Sequence, residues 1–308
     1  MVPNSSVLIP VFLLLVGHAH AGAWVQNKNA FYLKLTSSFF STTEEFDHLG
    51  RRRNILEERT AFHGASFRDI NLNLYLEYGW TERLTAVASL PYKGLTSERI
   101  VLFGGGLLEH KETLRTFGPG DLTISLRHIL GTEPVVFSVQ SGIKLPLGYE
   151  MVPASGGPSL GTSKVDAEAH LLVGKSLHPL PLYLTAGLGY RRRGGTLNDE
   201  IVYTSEVGFT SGPALFKFNI HGIDNTSEPP DIAGSTVVTP LPGGGGVLPD
   251  LVIGDQNALK LNPGLVYSLG NGLALQGDAF HVAAGKNSLS GTSYSLSLVF
   301  TGMLRRMW

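Results

Sequence analysis

From Gly118 to Gly148 the chain reads GPGDLTISLRHILGTEPVVFSVQSGIKLPLG. Leu122, Ile124 and Leu126 recur at every second position, with Thr123, Ser125 and Arg127 between them. After Gly131-Thr132-Glu133-Pro134 the rule returns, with Val135, Phe137, Val139, Ile143 and Leu145 set against Ser138, Gln140, Gly142 and Lys144. A period of two on both sides of a short turn predicts a β-hairpin with one apolar and one polar face. A soluble sandwich can carry such a hairpin, so the decision rests on how far the pattern extends. It recurs in about twelve stretches. Ile70, Leu72, Leu74, Leu76, Tyr78 and Trp80 form one, and Tyr294, Leu296, Leu298 and Phe300 form the last.

The connections alternate in length. Those near 40–64, 93–117, 147–163, 192–199, 223–256 and 285–291 read as long, and those near 81, 131, 177, 212 and 270 as turns. Short turns at one end and longer loops at the other are the signature of a transmembrane up-and-down β-barrel in a bacterial outer membrane. Closure is what pairs every backbone donor and acceptor in lipid. The expected fold is therefore an all-β, antiparallel barrel of about twelve strands, apolar face outward, both termini periplasmic, in a Gram-negative outer membrane. Tyr78, Trp80, Tyr92, Tyr190, Tyr203 and Tyr267 fall near strand ends, where an aromatic girdle is expected. Trp308 shares the parity of the last strand and matches the terminal aromatic signal read by the barrel-assembly machinery.

Residues 1–21 stand apart. Val7 to Gly17 is an apolar run too short to span a bilayer as a helix, and Ala19-His20-Ala21 has small-x-small form. These features predict a cleavable signal peptide over 1–21 and a barrel over 22–308, although Met1 to Ser6 contains no Lys or Arg. No later segment approaches ~18 continuous apolar residues. A formal net charge of -1 over 308 residues argues against a nucleic-acid partner. The complete absence of cysteine fits an exported chain that needs no disulfide.

Parity assigns the lumen wall: Glu77, Arg127, Lys144, Asp166, Glu168, His170, Arg191, Glu206 and Lys217 should face inward and set selectivity. Folding about the 147–163 loop brings Lys144 opposite Asp166. Folding about Pro179 brings Asp166 within one pairing step of Arg191. A Lys144–Asp166–Arg191 cluster of positive net charge near the external mouth is the expected result. Asp166, Glu168 and His170 have metal-ligand chemistry, but on one strand face they read as wetted wall, and no metal or cofactor is expected. No serine is assigned as a nucleophile, since that role needs a base and a third orienting group. Gly104-Gly105-Gly106 and Gly243 to Gly246 lack a following Lys-Ser/Thr and read as external loop. Arg51 to Arg53 and Arg191 to Arg193 read as rim, in contact with solvent or lipopolysaccharide.

PGDLTISLRHIL, SGIKLPLG, LGTSKVDAEAHLLVGKSL, LTAGLGYRRRGG and the early GAWVQNKNAFYL together resemble the outer-membrane channel family named for the meta-pathway of phenol degradation. The resemblance implies a β-barrel that passes small, often hydrophobic or aromatic, compounds. Its partners would be outer-membrane lipid and the solute itself. Passive uptake is the leading reading. A closed-lumen barrel serving as a binding or structural surface protein is the alternative, with a plug from the 223–256 loop as the discriminator. An outer-membrane lipid hydrolase stands third.

Overall fold

The computed structural model describes residues 22–57, 62–103, 107–151, 153–228 and 254–303, with the backbone alone of 239–240 and 246–247. The expected signal peptide, the Trp308 signal and, apart from the backbone of Val247, the Val247 to Ile253 plug lie outside the described residues.

Twelve strands form one closed antiparallel sheet. In chain order they are β1 (Ala30–Thr42), β2 (Phe62–Thr81), β3 (Leu84–Phe103), β4 (Leu108–Pro119 and Asp121–Gly131, broken at Gly120), β5 (Val136–Pro146) and β6 (Asp166–Ser176). There follow β7 (Leu182–Arg192), β8 (Glu200–Ser211), β9 (Ala214–Asn225), β10 (Asn257–Gly270), β11 (Leu273–Lys286) and β12 (Ser288–Met303). Each strand pairs with its neighbours in sequence, and β1 pairs with β12 from Ala30↔Met303 to Phe40↔Ser293, which closes the ring. The expected twelve-stranded barrel is thus the observed one.

The short turns follow from their residues. Asn271 and Gly272 both have positive φ, as a two-residue hairpin turn of the type matching strand twist requires. Gly212, with φ +55°, plays the same part between β8 and β9.

Two expected long loops are not loops. The 93–117 segment continues β3 and β4 as a paired hairpin out to Phe103↔Leu108. At 20 residues, β2 and β3 exceed the 9–11 needed to cross a bilayer. At about 3.3 Å per residue they project roughly 30 Å past the shorter strands. Adjacent charged residues such as Glu98-Arg99 and Lys111-Glu112 mask this extension as loop in the sequence. The 285–291 segment is a tight turn at Asn287 between β11 and β12. Near 40–64, a small hairpin of Glu44–Phe46 and Arg52–Asn54 adds to the end of β12.

The faces are inverted relative to a soluble protein. Outward-pointing Leu72, Leu188 and Leu296 are 48%, 58% and 64% exposed, whereas inward-pointing Glu77 is fully buried. The aromatics Trp80, Tyr92, Tyr190 and Tyr267 all lie on the exposed outer face. Among the described residues, buried apolar clusters inside the barrel lie towards its two ends. Tyr183, Leu215 and Val266 gather near the short turns, and Ile55, Ala65, Phe67, Leu95 and Leu160 near the long loops.

Candidate functional site

The lumen between those two clusters is the candidate site, and among the described residues the N-terminal segment and the 147–163 loop reach into it, with Ile55 packed at its long-loop end. At the short-turn end, residues 22–26 lie inside the barrel, and the exposed Asn27 and Lys28 lead out past the 81–83 turn to β1. Arg127 Nη1 donates to Trp24 O at 2.9 Å, Ser138 Oγ donates to Ala23 O, and Gln26 N donates to Thr85 Oγ1 at 2.7 Å. The Trp24 ring meets Tyr183 edge to face, with centroids 5.9 Å apart. It also passes so close to Gly174 that a Cβ there would sit 2.9 Å from Trp24 Cη2. At the long-loop end, the 147–163 loop folds inward. Leu160 is buried in the apolar cluster, and Lys93 Nζ donates to Leu160 O at 3.1 Å.

The charged wall residues form two networks. The lower one centres on Glu77, which pairs with Arg127 Nη1 at 3.2 Å and accepts from Gln26 Nε2 at 2.7 Å and Tyr75 OH at 2.6 Å. Arg127 Nε donates to Gln140 Oε1 at 2.9 Å. Beside it, Tyr183 OH donates to Glu206 Oε1 at 2.6 Å and Lys217 Nζ lies 3.1 Å from Asp278 Oδ1. Such burial of ions is tolerable only with close counter-charges and further hydrogen bonds, because desolvation costs several kcal/mol per ion.

The upper network contains the expected cluster in altered form. Lys144 and Asp166 are directly opposed across β5 and β6, with Nζ 3.0 Å from Oδ2. Arg191, however, is opposed to Glu168, and the arginine that meets Asp166 is Arg193, with Nε 3.2 Å from Oδ2. The hairpin is centred half a residue beyond Pro179, which moves the position opposite Asp166 from 192 to 193, and on the inward face the residue next after Arg191 is Arg193. Arg191 bridges Glu168 and Glu200, Arg193 also reaches Glu200, and Lys144 also reaches Asp121 at 2.8 Å. Three cations therefore face four carboxylates, giving a formal charge of -1 in place of the expected positive one. Asp121 in turn accepts from Tyr149 OH, which ties the inward loop to the network. His170 Nε2 lies 3.5 Å from Glu168 Oε2, so Asp166, Glu168 and His170 are engaged by protein groups.

The lumenal placement of 22–26 escaped sequence reasoning, and so did the role of Arg193. GAWVQNK has no alternation to read, and a lone Trp before the first strand was its one signal. A string of nucleophile-elbow form, Gly157-Pro158-Ser159-Leu160-Gly161, also escaped. Ser159 lies in the inward loop, not on the strand-to-helix turn such a nucleophile needs. Its Oγ is bonded to Gly161 O at 2.6 Å and Glu150 O at 3.3 Å, with no histidine bonded to it among the described residues.

No protein-family model matches the chain, and no curated protein matches it in sequence. Among solved structures it is similar to an outer membrane channel from Pseudomonas putida F1, with a TM-score of 0.63 and 13% identity over 92% of this chain and 99% of that one. It aligns more loosely with the monoaromatic hydrocarbon channel TodX, at 0.45 and 9% identity over 92% of each chain. The Ralstonia pickettii toluene transporter TbuX aligns at 0.44 and 8% over 92% of this chain and 91% of that one. The first of these shows the fold; the other two are too distant to add to it.

Proposed function

We propose that the chain is an outer-membrane channel for the passive uptake of small, apolar or aromatic solutes. The observation that carries this reading is the inverted barrel: an apolar outer face fit for lipid around an ionised lumen that holds a cavity of about 440 Å³. The sequence resemblance to the phenol meta-pathway channel family supports the solute class. The Pseudomonas putida protein that shares the fold is itself an outer membrane channel, which supports transport. Proteoliposomes carrying the protein should take up radiolabelled toluene faster than protein-free liposomes and leave sucrose permeability unchanged. Equal toluene entry in both preparations would sink the reading.

The alternative, a closed-lumen barrel, is favoured by one observation: residues 22–26 and the 147–163 loop both reach into the lumen. A barrel closed in this way would conduct no ions until an inserted segment is removed.

The proposed orientation places the 147–163 loop outside the cell and the β10–β11 turn in the periplasm. Ser155 and Asn271 are both exposed and suit a labelling test. On intact cells, Ser155→Cys should react with an impermeant maleimide and Asn271→Cys should react only after lysis. The reverse pattern would invert the topology.

A further inference from the structure

The cavity that lines the long-loop half of the lumen is walled by two kinds of group. Phe40, Phe67, Leu95 and Phe280 supply apolar surface, with the Phe40 and Phe67 rings 6.5 Å apart between centroids. Lys93 and Lys260 supply positive charge, and Asp69 is the one carboxylate on the same wall among the described residues. Lys93 stands on β3 and Lys260 on β10. These strands are five steps apart around a twelve-strand ring, so the two ammonium groups approach the cavity from nearly opposite sides.

Neither lysine is held in an ion pair among the described residues. Lys93 has the Leu160 carbonyl as its hydrogen-bond partner. Lys260 has no hydrogen-bond or ion-pair partner among the described residues, and its cross-strand neighbours are His221 and Val282. In this they differ from Arg127, Lys144, Arg191, Arg193 and Lys217, each of which meets a carboxylate. The wall carries further unspent polarity. Asp69 Oδ1, Asn71 Oδ1 and Ser288 Oγ are buried and have no hydrogen-bond partner among the described residues, although Asp69 is within electrostatic reach of Lys93. Buried polar atoms in a folded protein are nearly always bonded, so these atoms call for water, and of the three only the Ser288 hydroxyl could donate to a bound anion. The wall's formal charge is positive by one, and its size, about 440 Å³, lies within the usual range for small-molecule sites of roughly 300–1,000 Å³.

We propose that this cavity is a binding site for a small aryl carboxylate on the solute path. The carboxylate would be held between the Lys93 and Lys260 ammonium groups, with the ring against the Phe40, Phe67 and Phe280 side chains. A neutral hydrocarbon would leave both ammonium groups without a paired counter-charge, and a small inorganic anion would leave the aromatic wall unfilled. The proposal deepens the channel reading above and rests on it for its place in transport.

The test separates the two. Binding of benzoate to purified protein in detergent would be measured by calorimetry, with toluene and acetate as competitors, beside benzoate flux into proteoliposomes. We expect benzoate to bind at least tenfold more tightly than toluene or acetate. Lys260→Met and Lys93→Met should each weaken it about tenfold or more, as loss of a charge-assisted hydrogen bond implies. Lys260→Arg should retain most of it, and unchanged heat-modifiable migration on gels confirms that each variant is folded. Binding retained within twofold in the Lys93→Met, Lys260→Met double variant overturns the proposal. So does toluene competing as well as benzoate, or no benzoate binding to the unaltered protein. Flux absent while lysine-dependent binding persists would support the site and overturn the channel reading alone.

Discussion

Deleting Ala23–Lys28 should raise the single-channel conductance of the barrel severalfold. Barrel bore grows with strand number. Eight strands enclose little more than their own side chains, whereas sixteen leave an aqueous channel. At twelve strands the bore is intermediate, and whatever lies within it decides what passes. At the short-turn end the occupant is the chain itself, with Trp24 set against Tyr183 and the Ala23 and Trp24 carbonyls bonded to Ser138 and Arg127. The deletion keeps Gly22 after Ala19-His20-Ala21 and removes the obstruction without touching a strand. Planar-bilayer recordings of the two proteins provide the comparison. Conductance unchanged by the deletion would mean that the limiting obstruction is elsewhere, with the 147–163 loop as the remaining described candidate.

The second large effect is on stability. Arg127→Ala should destabilise the barrel by about 3 kcal/mol, the lower end of the 3–5 kcal/mol typical when one member of a buried ion pair is removed. The side chains of Arg127 and Glu77 are 4% and 0% exposed. Removing the guanidinium leaves Glu77 with only the Gln26 amide and the Tyr75 hydroxyl, and frees the Trp24 carbonyl and Gln140. The lower end of the range applies because water can follow into a lumen more readily than into an apolar core. Arg191→Ala is the control. That side chain is 24% exposed, so water reaches it and its loss should cost less than that of Arg127, although its partners Glu168 and Glu200 are 11% and 6% exposed. Urea unfolding from lipid vesicles measures both, and Glu77→Gln combined with Arg127→Met should recover much of the loss. Equal destabilisation by Arg127→Ala and Arg191→Ala would remove the distinction between the two networks.

The two effects are coupled through residues 22–26, because Arg127 holds both Glu77 and the Trp24 carbonyl. Arg127→Ala should therefore also make any current through the barrel noisier, with the inserted segment less firmly held. The lower ion network thus links barrel stability to the width of the path. The upper network links the inward 147–163 loop to the wall through Tyr149, Asp121 and Lys144.

The sequence by itself determined the barrel, its strand count and the face of each strand residue. The reason is local: side chains alternate strictly along a strand, so Glu77, Arg127, Asp166 and Lys217 are placed inward by position alone. Pairing across the long 147–163 loop was legible too, since Lys144 and Asp166 meet as symmetric folding requires. Pairing across the short turn near Pro179 was not. There the turn geometry sets the register, and a centre half a residue further on puts Arg193 in place of Arg191 on the same face. Strand ends were likewise hidden where β3 and β4 run on as a paired hairpin, because runs of neighbouring polar and charged residues such as Ser97-Glu98-Arg99 and Glu109-His110-Lys111-Glu112 break the apolar/polar alternation and resemble loop. Only the tertiary structure decided what fills the lumen. GAWVQNK and the 147–163 loop carry no periodicity, and their positions are fixed by donors and acceptors on distant strands: Thr85, Arg127, Ser138 and Lys93. The Lys93–Lys260 cavity has the same origin, since those residues are 167 positions apart in the chain and are brought to one space solely by closure of the sheet.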